Sequence, residues 1–149
     1  MSTRSMIARQ YEDGSFRAVY AHWDGYPEHN GRMLLSHYSD VDKLNLLLDE
    51  GDISCLRDGV GEKHDFADFG ISDTAKENEW TTFYGRDRGE EGCEARTYST
   101  VDEMITAAKE RWAIYLYVFD GSWSFTKDGD LQDLEEHLRQ IDLEETVVR

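Results

Sequence analysis

Two spacings of apolar residues organise the chain. Alternating apolar and polar positions, or short runs of β-branched and aromatic residues, predict strands; apolar residues recurring every three or four positions predict helices. Residues 5–11 and 16–23 are β-prone runs that flank Glu12-Asp13-Gly14-Ser15. Asp-Gly between such runs predicts an antiparallel hairpin, because both residues tolerate positive φ. Alternation in the second strand puts Phe16, Ala18, Tyr20 and His22 on one face, and Arg17, Val19, Ala21 and Trp23 on the other. Neither face is cleanly polar, which predicts cover on both sides near the strand's end.

After Tyr26-Pro27, residues 31–38 read as a short helix carrying Met33, Leu34 and Leu35. A second helix follows, capped by Ser39 or Asp40, with Val41, Leu44, Leu47 and Leu48 as its apolar stripe and Gly51 as its stop. Periodicity then fades. Around 52–79 the chain reads as an irregular connection that drops Phe66, Phe69 and Ile71 onto the core. Residues 80–84 read as a strand, 85–92 as a polar loop and 95–98 as a return strand.

Thr100 and Glu103 have capping-box spacing, predicting a helix to about Trp112 with Val101, Met104, Ile105, Ala108 and Trp112 on its apolar face. Residues 113–119 are the most β-prone run, and Asp120-Gly121 turns them toward 122–125, a second hairpin expected at the sheet centre. Asp130 would cap a last helix in which Leu131, Leu134, Leu138 and Ile141 recur. The fold class is therefore α+β. A single domain over 1–149 is expected, with a mainly antiparallel sheet of about four to six strands packed with about four helices.

Charge changes the picture more than any motif. Asp and Glu number 32 against 16 Lys and Arg, a formal net charge of -16. A field of that sign repels nucleic-acid backbones and anionic lipid, which argues against direct nucleic-acid or membrane binding. Acid is unevenly placed: residues 1–41 hold four arginines against five acids, so nearly all the excess lies beyond them. Cys55 and Cys93 fit neither a disulfide framework nor a zinc spacing, so a reducing cytoplasm is expected. The first residues lack the apolar run of a signal peptide, and no apolar stretch reaches transmembrane length.

Candidate chemistry concentrates in Tyr20-Ala21-His22-Trp23-Asp24-Gly25-Tyr26-Pro27-Glu28-His29-Asn30-Gly31. His22 and Asp24 stand two apart beside Trp23 and Tyr26, so a carboxylate-positioned histidine is one reading and turn chemistry the other. His22, His29 and His37 with Asp24 or Glu28 invite a metal reading, but such spacings arise by chance, and no metal or cofactor is expected. Arg86-Asp87-Arg88 lies between Gly85 and Gly89. It suits a phosphate or carboxylate, a site that Arg4 joins if the first strand ends near that loop; the alternative is pairing with neighbouring acids, Glu90, Glu91 and Glu94. The last helix carries Asp133, Glu136 and Glu144 among its acids, a surface fit for imitating nucleic acid before a basic partner, or one that keeps the protein soluble.

Met1-Ser2-Thr3-Arg4-Ser5, the stretch Tyr20 to Pro27, Gly31, Leu34-Leu35, Tyr38, Gly51-Asp52-Ile53-Ser54 and Tyr84 to Glu90 together resemble a group of small acidic proteins of bacteriophages and prophages. The resemblance covers the first 55 residues well and 80–98 in part. It implies a phage-type accessory protein in the host cell cytoplasm and brings no established reaction. Two functions follow as expectations. The first is binding of a host macromolecule, such as a defence or nucleic-acid enzyme, through the acidic surface. The second is a binding module or enzyme for a small anionic ligand such as a nucleotide, using Arg4, His22, Trp23, Asp24, Tyr26, Arg86 and Arg88. No complete catalytic pattern is present, which favours binding over catalysis.

Overall fold

The structure, a computed structural model, describes residues 2–64, 66 and 79–148. In chain order it forms β1 (Arg4–Gln10), β2 (Phe16–Ala21), a π-helical turn (Pro27–Gly31) that runs into α1 (Arg32–His37), α2 (Val41–Asp49) and β3 (Ile53–Cys55). Then come β4 (Thr82–Phe83), α3 (Tyr84–Arg88), β5 (Arg96–Tyr98), α4 (Val101–Glu110), β6 (Ala113–Phe119), β7 (Trp123–Thr126), β8 (Gln132–Asp133) and α5 (Leu134–Val148).

Both expected hairpins form. β1 and β2 pair antiparallel from Ser5↔Ala21 to Gln10↔Phe16. Their turn is held by the Asp13 carboxylate, which accepts from the Ser15 amide at 2.9 Å and hydroxyl at 2.6 Å, while Gly14 takes φ +87°. β6 and β7 pair antiparallel, and β6 also lies parallel to β1, which puts it inside the sheet. The order is β4-β3-β2-β1-β6-β7-β8, with β5 beside β2. The eight strands among the described residues exceed the expected number, although β4 and β8 have two residues each. The sheet is mixed: β1–β6 and β2–β3 are parallel and the other pairings antiparallel.

Helices cover both faces. Ile7, Val19, Ala21, Tyr117, Phe119 and Phe125 meet Leu34, Leu44, Leu47, Leu48, Leu134 and Leu138, which are buried from α1, α2 and α5. Met6, Ala8, Phe16, Ala18, Leu116 and Val118 meet Met104 and Ala108 of α4. Alternation along β2 thus feeds two cores, as its mixed faces predict. Each fully buried leucine contributes about 1.5–3 kcal/mol.

Four local expectations need correcting. Residues 95–98 do not return along 80–84: β3 meets β2 only at Ala21, so β5 takes the open edge at Phe16–Ala18, and β4 pairs with β3. The loop expected at 85–92 begins as α3, which stops at Gly89 with φ +76°. α4 is capped by the Thr100 side chain as expected but ends at Glu110; Trp112 takes φ +62° and is 76% exposed instead of joining the apolar face. Asp133 caps α5 in place of Asp130, accepting from the Glu136 amide at 2.8 Å, and Leu131 is exposed.

Within the expected irregular stretch, residues 53–55 form β3, and Gly59 bridges Trp80. Phe69 and Ile71 lie outside the described residues. No described helix is long and apolar enough to cross a membrane.

Candidate functional site

The stretch from Tyr20 to Gly31 is first a junction. β2 continues along β3 through the His22 amide to the Ile53 carbonyl (3.0 Å) and the Trp23 amide to that of Ser54 (3.1 Å). Asp24 then takes φ +56°, and the chain reverses direction. The Gly25 amide donates to the Thr3 carbonyl at 2.8 Å, and the Tyr117 hydroxyl donates to the Gly25 carbonyl at 2.6 Å. A Cβ at Gly25 would stand 2.8 Å from both Ser5 Cβ and the Thr3 carbonyl oxygen. The Thr-Arg-Ser start and the Asp-Gly pair are therefore two sides of one contact, which gives a structural reason for their joint presence.

Positive φ at Asp24 also separates the expected pair. His22 Nδ1 lies 2.7 Å from the Tyr20 hydroxyl, and its ring packs edge-on to Trp23 at 4.7 Å between centroids. Asp24 instead receives the Tyr26 hydroxyl at 3.4 Å, which raises the phenol's pKa beside a carboxylate, and lines a groove. Of the two readings of His22 and Asp24, the geometry fits turn chemistry: Asp24 shapes the turn and serves the opposite side of the strand end.

That groove, about 350 Å³, is lined by Asp24, His29, Met33, Cys55, Leu56, Arg57, Asp58 and Glu79. It opens where the parallel β2 and β3 end, a place where open sheets often bind ligands. The tautomer of His29 follows from its neighbour. Buried Asn30 donates its side-chain amide to the Trp23 carbonyl at 3.1 Å, so its Oδ1 faces His29 Nδ1 at 2.9 Å. Nδ1 must donate there, which leaves Nε2 of the neutral ring as an acceptor. Burial pushes the Cys55 thiol up, so it stays protonated and a poor nucleophile. Among the described residues, no group of three or more His, Cys, Asp or Glu is placed to hold a metal ion.

On the other side of the strand end lies a basic corner. Arg4 follows the last β1–β2 pair, Ser5↔Ala21, and lies near enough to His22 for its charge to act on the ring. Arg4 donates to the Arg111 carbonyl at 3.3 Å, and the Arg111 guanidinium sits 4.1 Å from the centre of the Tyr20 ring. Asp52, 5% exposed, accepts from the Tyr20 amide at 2.9 Å and from Arg111 at 3.2 Å. Desolvation and then nearby Arg4 hold His22 below its ordinary pKa. Arg111 escaped the sequence reading; it stands 59 residues from Asp52 and carries no local motif.

The arginine loop is elsewhere and occupied. Arg86 Nε and Nη2 bond Asp87, its Nη1 bonds the Val60 and Gly61 carbonyls, and Nη2 also bonds that of Thr81, all within 2.8–3.2 Å. Every N–H of the guanidinium therefore has an acceptor inside the chain, against the expectation that it grips a ligand. Asp87 also accepts from the His64 and Phe83 amides at 3.1 and 2.8 Å. His64, likewise unforeseen, donates from Nδ1 to the Glu62 carbonyl at 2.7 Å and lies buried beside Thr82. Arg88 is exposed, 3.7 Å from Glu90 and over the Phe66 ring. Neither arginine lines the groove with Asp24, and the bonds of Arg86 run to Val60, Gly61, Thr81 and Asp87 instead of to Arg4 or His22.

On α5, Asp133 is the cap, and Glu136 pairs with Arg139 at 2.9 Å. Asp142 pairs with Arg32 at 2.7 Å, and Glu144 is exposed. Compared with family models, curated proteins and solved structures, the chain shows no match.

Proposed function

We propose that this chain is a binding protein that docks a basic macromolecular partner through its acidic surface, as a phage-type accessory protein would dock a host defence or nucleic-acid enzyme. The observation that carries this reading is the composition of the groove: Asp24, Asp58 and Glu79 line it against Arg57. A lysine or arginine side chain suits such a lining better than an anion does. Arg86, expected to supply the anion grip, has its donors engaged within the chain. The net charge of -16 extends the same preference beyond the groove. Of the expected contacts on the last helix, Glu144 has no bond among the described residues, whereas Asp133 and Glu136 hold the helix.

Displacement tests this. Immobilised duplex DNA loaded with a bacterial extract presents basic partners of the required class. The chain should release particular proteins from it, and release should fall steeply between about 50 and 200 mM salt as counterions compete. A released protein, once purified, should bind the chain directly, and Asp24→Asn with Asp58→Asn should weaken that binding about tenfold or more. Absence of release at about 50 mM salt would end this reading.

A further inference from the structure

The corner formed by the start of β1, the end of β2 and the residue after α4 gathers two arginines, whereas the groove sets one among three carboxylates. Ser5 pairs with Ala21, the last pair of the ladder, and Arg4 just beyond it lies close enough for its charge to act on both His22 and Tyr20. Arg111 closes the third side over the Tyr20 ring. Among the described residues, Arg4 gives one N–H to the chain, at the Arg111 carbonyl, and Arg111 gives one to Asp52. The other N–H groups of both guanidinia have no acceptor there, in contrast to Arg86. Both side chains are only partly covered.

The Tyr20–His22 pair adds a donor. Hydroxyl and neutral imidazole bring one polar hydrogen each, and their shared bond at 2.7 Å uses one of them. Whichever tautomer forms, one N–H or O–H is left over. Asp52 is matched by Arg111 at 3.2 Å and gives its other oxygen to the Tyr20 amide, so the charge of Arg4 is in surplus. Exposed Lys109 and Glu110 nearby offset each other. The net charge of -16 opposes an anion, but at about 0.1 M salt the screening length is about 10 Å, so charges in contact dominate over distant ones.

We propose that this corner binds the phosphate group of a small ligand, with Arg4 and Arg111 as charged clamps and the Tyr20–His22 pair as a further donor. A phosphate monoester fits better than a carboxylate. The unused donors outnumber what two carboxylate oxygens accept, and a phosphate offers three oxygens and about twice the charge. A free phosphate and the phosphate of a nucleotide present the same chemistry to this corner. This site is independent of the acidic groove and of the docking reading.

The test is a titration of the intact chain with inorganic phosphate and, separately, with a nucleoside monophosphate, following the His22 ring resonances by NMR at constant ionic strength. Saturable shifts are expected with both, and sodium chloride at matched ionic strength should give none. Tighter binding of the nucleotide, lost in Trp112→Ala, would extend recognition to its base through the exposed indole beside Arg111. Arg4→Gln should weaken binding about tenfold, with Arg4→Lys restoring part of it. Arg111→Gln should do the same, but it leaves Asp52 unpaired, so Arg4→Gln is the deciding variant. Shifts that do not saturate, that chloride reproduces, or that survive Arg4→Gln unchanged would overturn the proposal.

Discussion

Asp52 and Asp87 are both buried, and each holds an arginine, yet the two pairs differ in what they leave over. Asp87 sits under a guanidinium whose five N–H groups all end on acceptors of the chain, with the Phe83 and His64 amides on the same carboxylate. That arrangement ties α3 and β4 to the segment at residues 60–64, and nothing remains for a ligand. Asp52 bonds one N–H of Arg111, whose side chain is 33% exposed and spreads over Tyr20 beside Arg4. An arginine that is fully bonded is a structural part, whereas one with donors to spare, on a partly open surface, is a candidate for recognition. The acidic groove makes the complementary case: among the described residues, three carboxylates and one guanidinium line it.

The sharpest way to break this contrast is to remove each carboxylate. Asp87→Ala strands buried amides and a covered guanidinium, and it should lower stability by about 3–5 kcal/mol in urea unfolding. Asp52→Ala strands the Tyr20 amide but lets Arg111 turn to water, so about 1–3 kcal/mol is expected. A larger loss at Asp52 than at Asp87 would dissolve the distinction.

Gly25→Ala probes the junction between the two regions. Its methyl would press on Ser5 and the Thr3 carbonyl, so a loss of about 1–3 kcal/mol is expected, read as a fall in Tm. An unchanged Tm would mean that the contact yields easily.

Acid should act on the basic corner through His22. Its folded pKa lies below the ordinary 6.5, because desolvation and then Arg4 disfavour the cation. The folded state therefore binds fewer protons than the unfolded one. Its contribution to stability is present above 6.5 and is lost as pH falls through the lower folded value. Tm measured from about pH 7 to about pH 5 should fall less in His22→Gln than in the parent. Equal slopes would deny the shift. The smallest effect is expected from Arg4→Gln, whose stability should stay within about 0.5 kcal/mol of the parent while phosphate binding weakens about tenfold. A large stability loss would make Arg4 a structural residue like Arg86.

Much of the fold was legible because its signals are local. Asp13-Gly14 and Asp120-Gly121 announced both hairpins, since the turn chemistry sits in adjacent residues. The leucine spacing announced α2 and most of α5. Where the reading failed, a distant competitor had decided. Trp112 continues the helical spacing, yet the chain leaves α4 at Glu110 to enter β6. Residues 96–98 suit a return strand, but β2 offered the free edge. The site was less legible than the fold. Arg86 looked like a ligand clamp because the carbonyls of Val60 and Gly61, its acceptors, lie 26 and 25 positions away.

By itself, then, the sequence determined the hairpins, the helical stripes, the sign of the surface and the residues crowded between Tyr20 and Gly31. These follow from spacing, turn chemistry and charge count, which are properties of neighbours along the chain. Only the tertiary structure decided which side each of those residues serves. A left-handed Asp24 sends its carboxylate to the acidic groove, the β1–β2 pairing brings the charge of Arg4 near His22, and the end of α4 brings Arg111 over Tyr20. Each of these depends on through-space packing between segments far apart in sequence, where no local pattern records the partner.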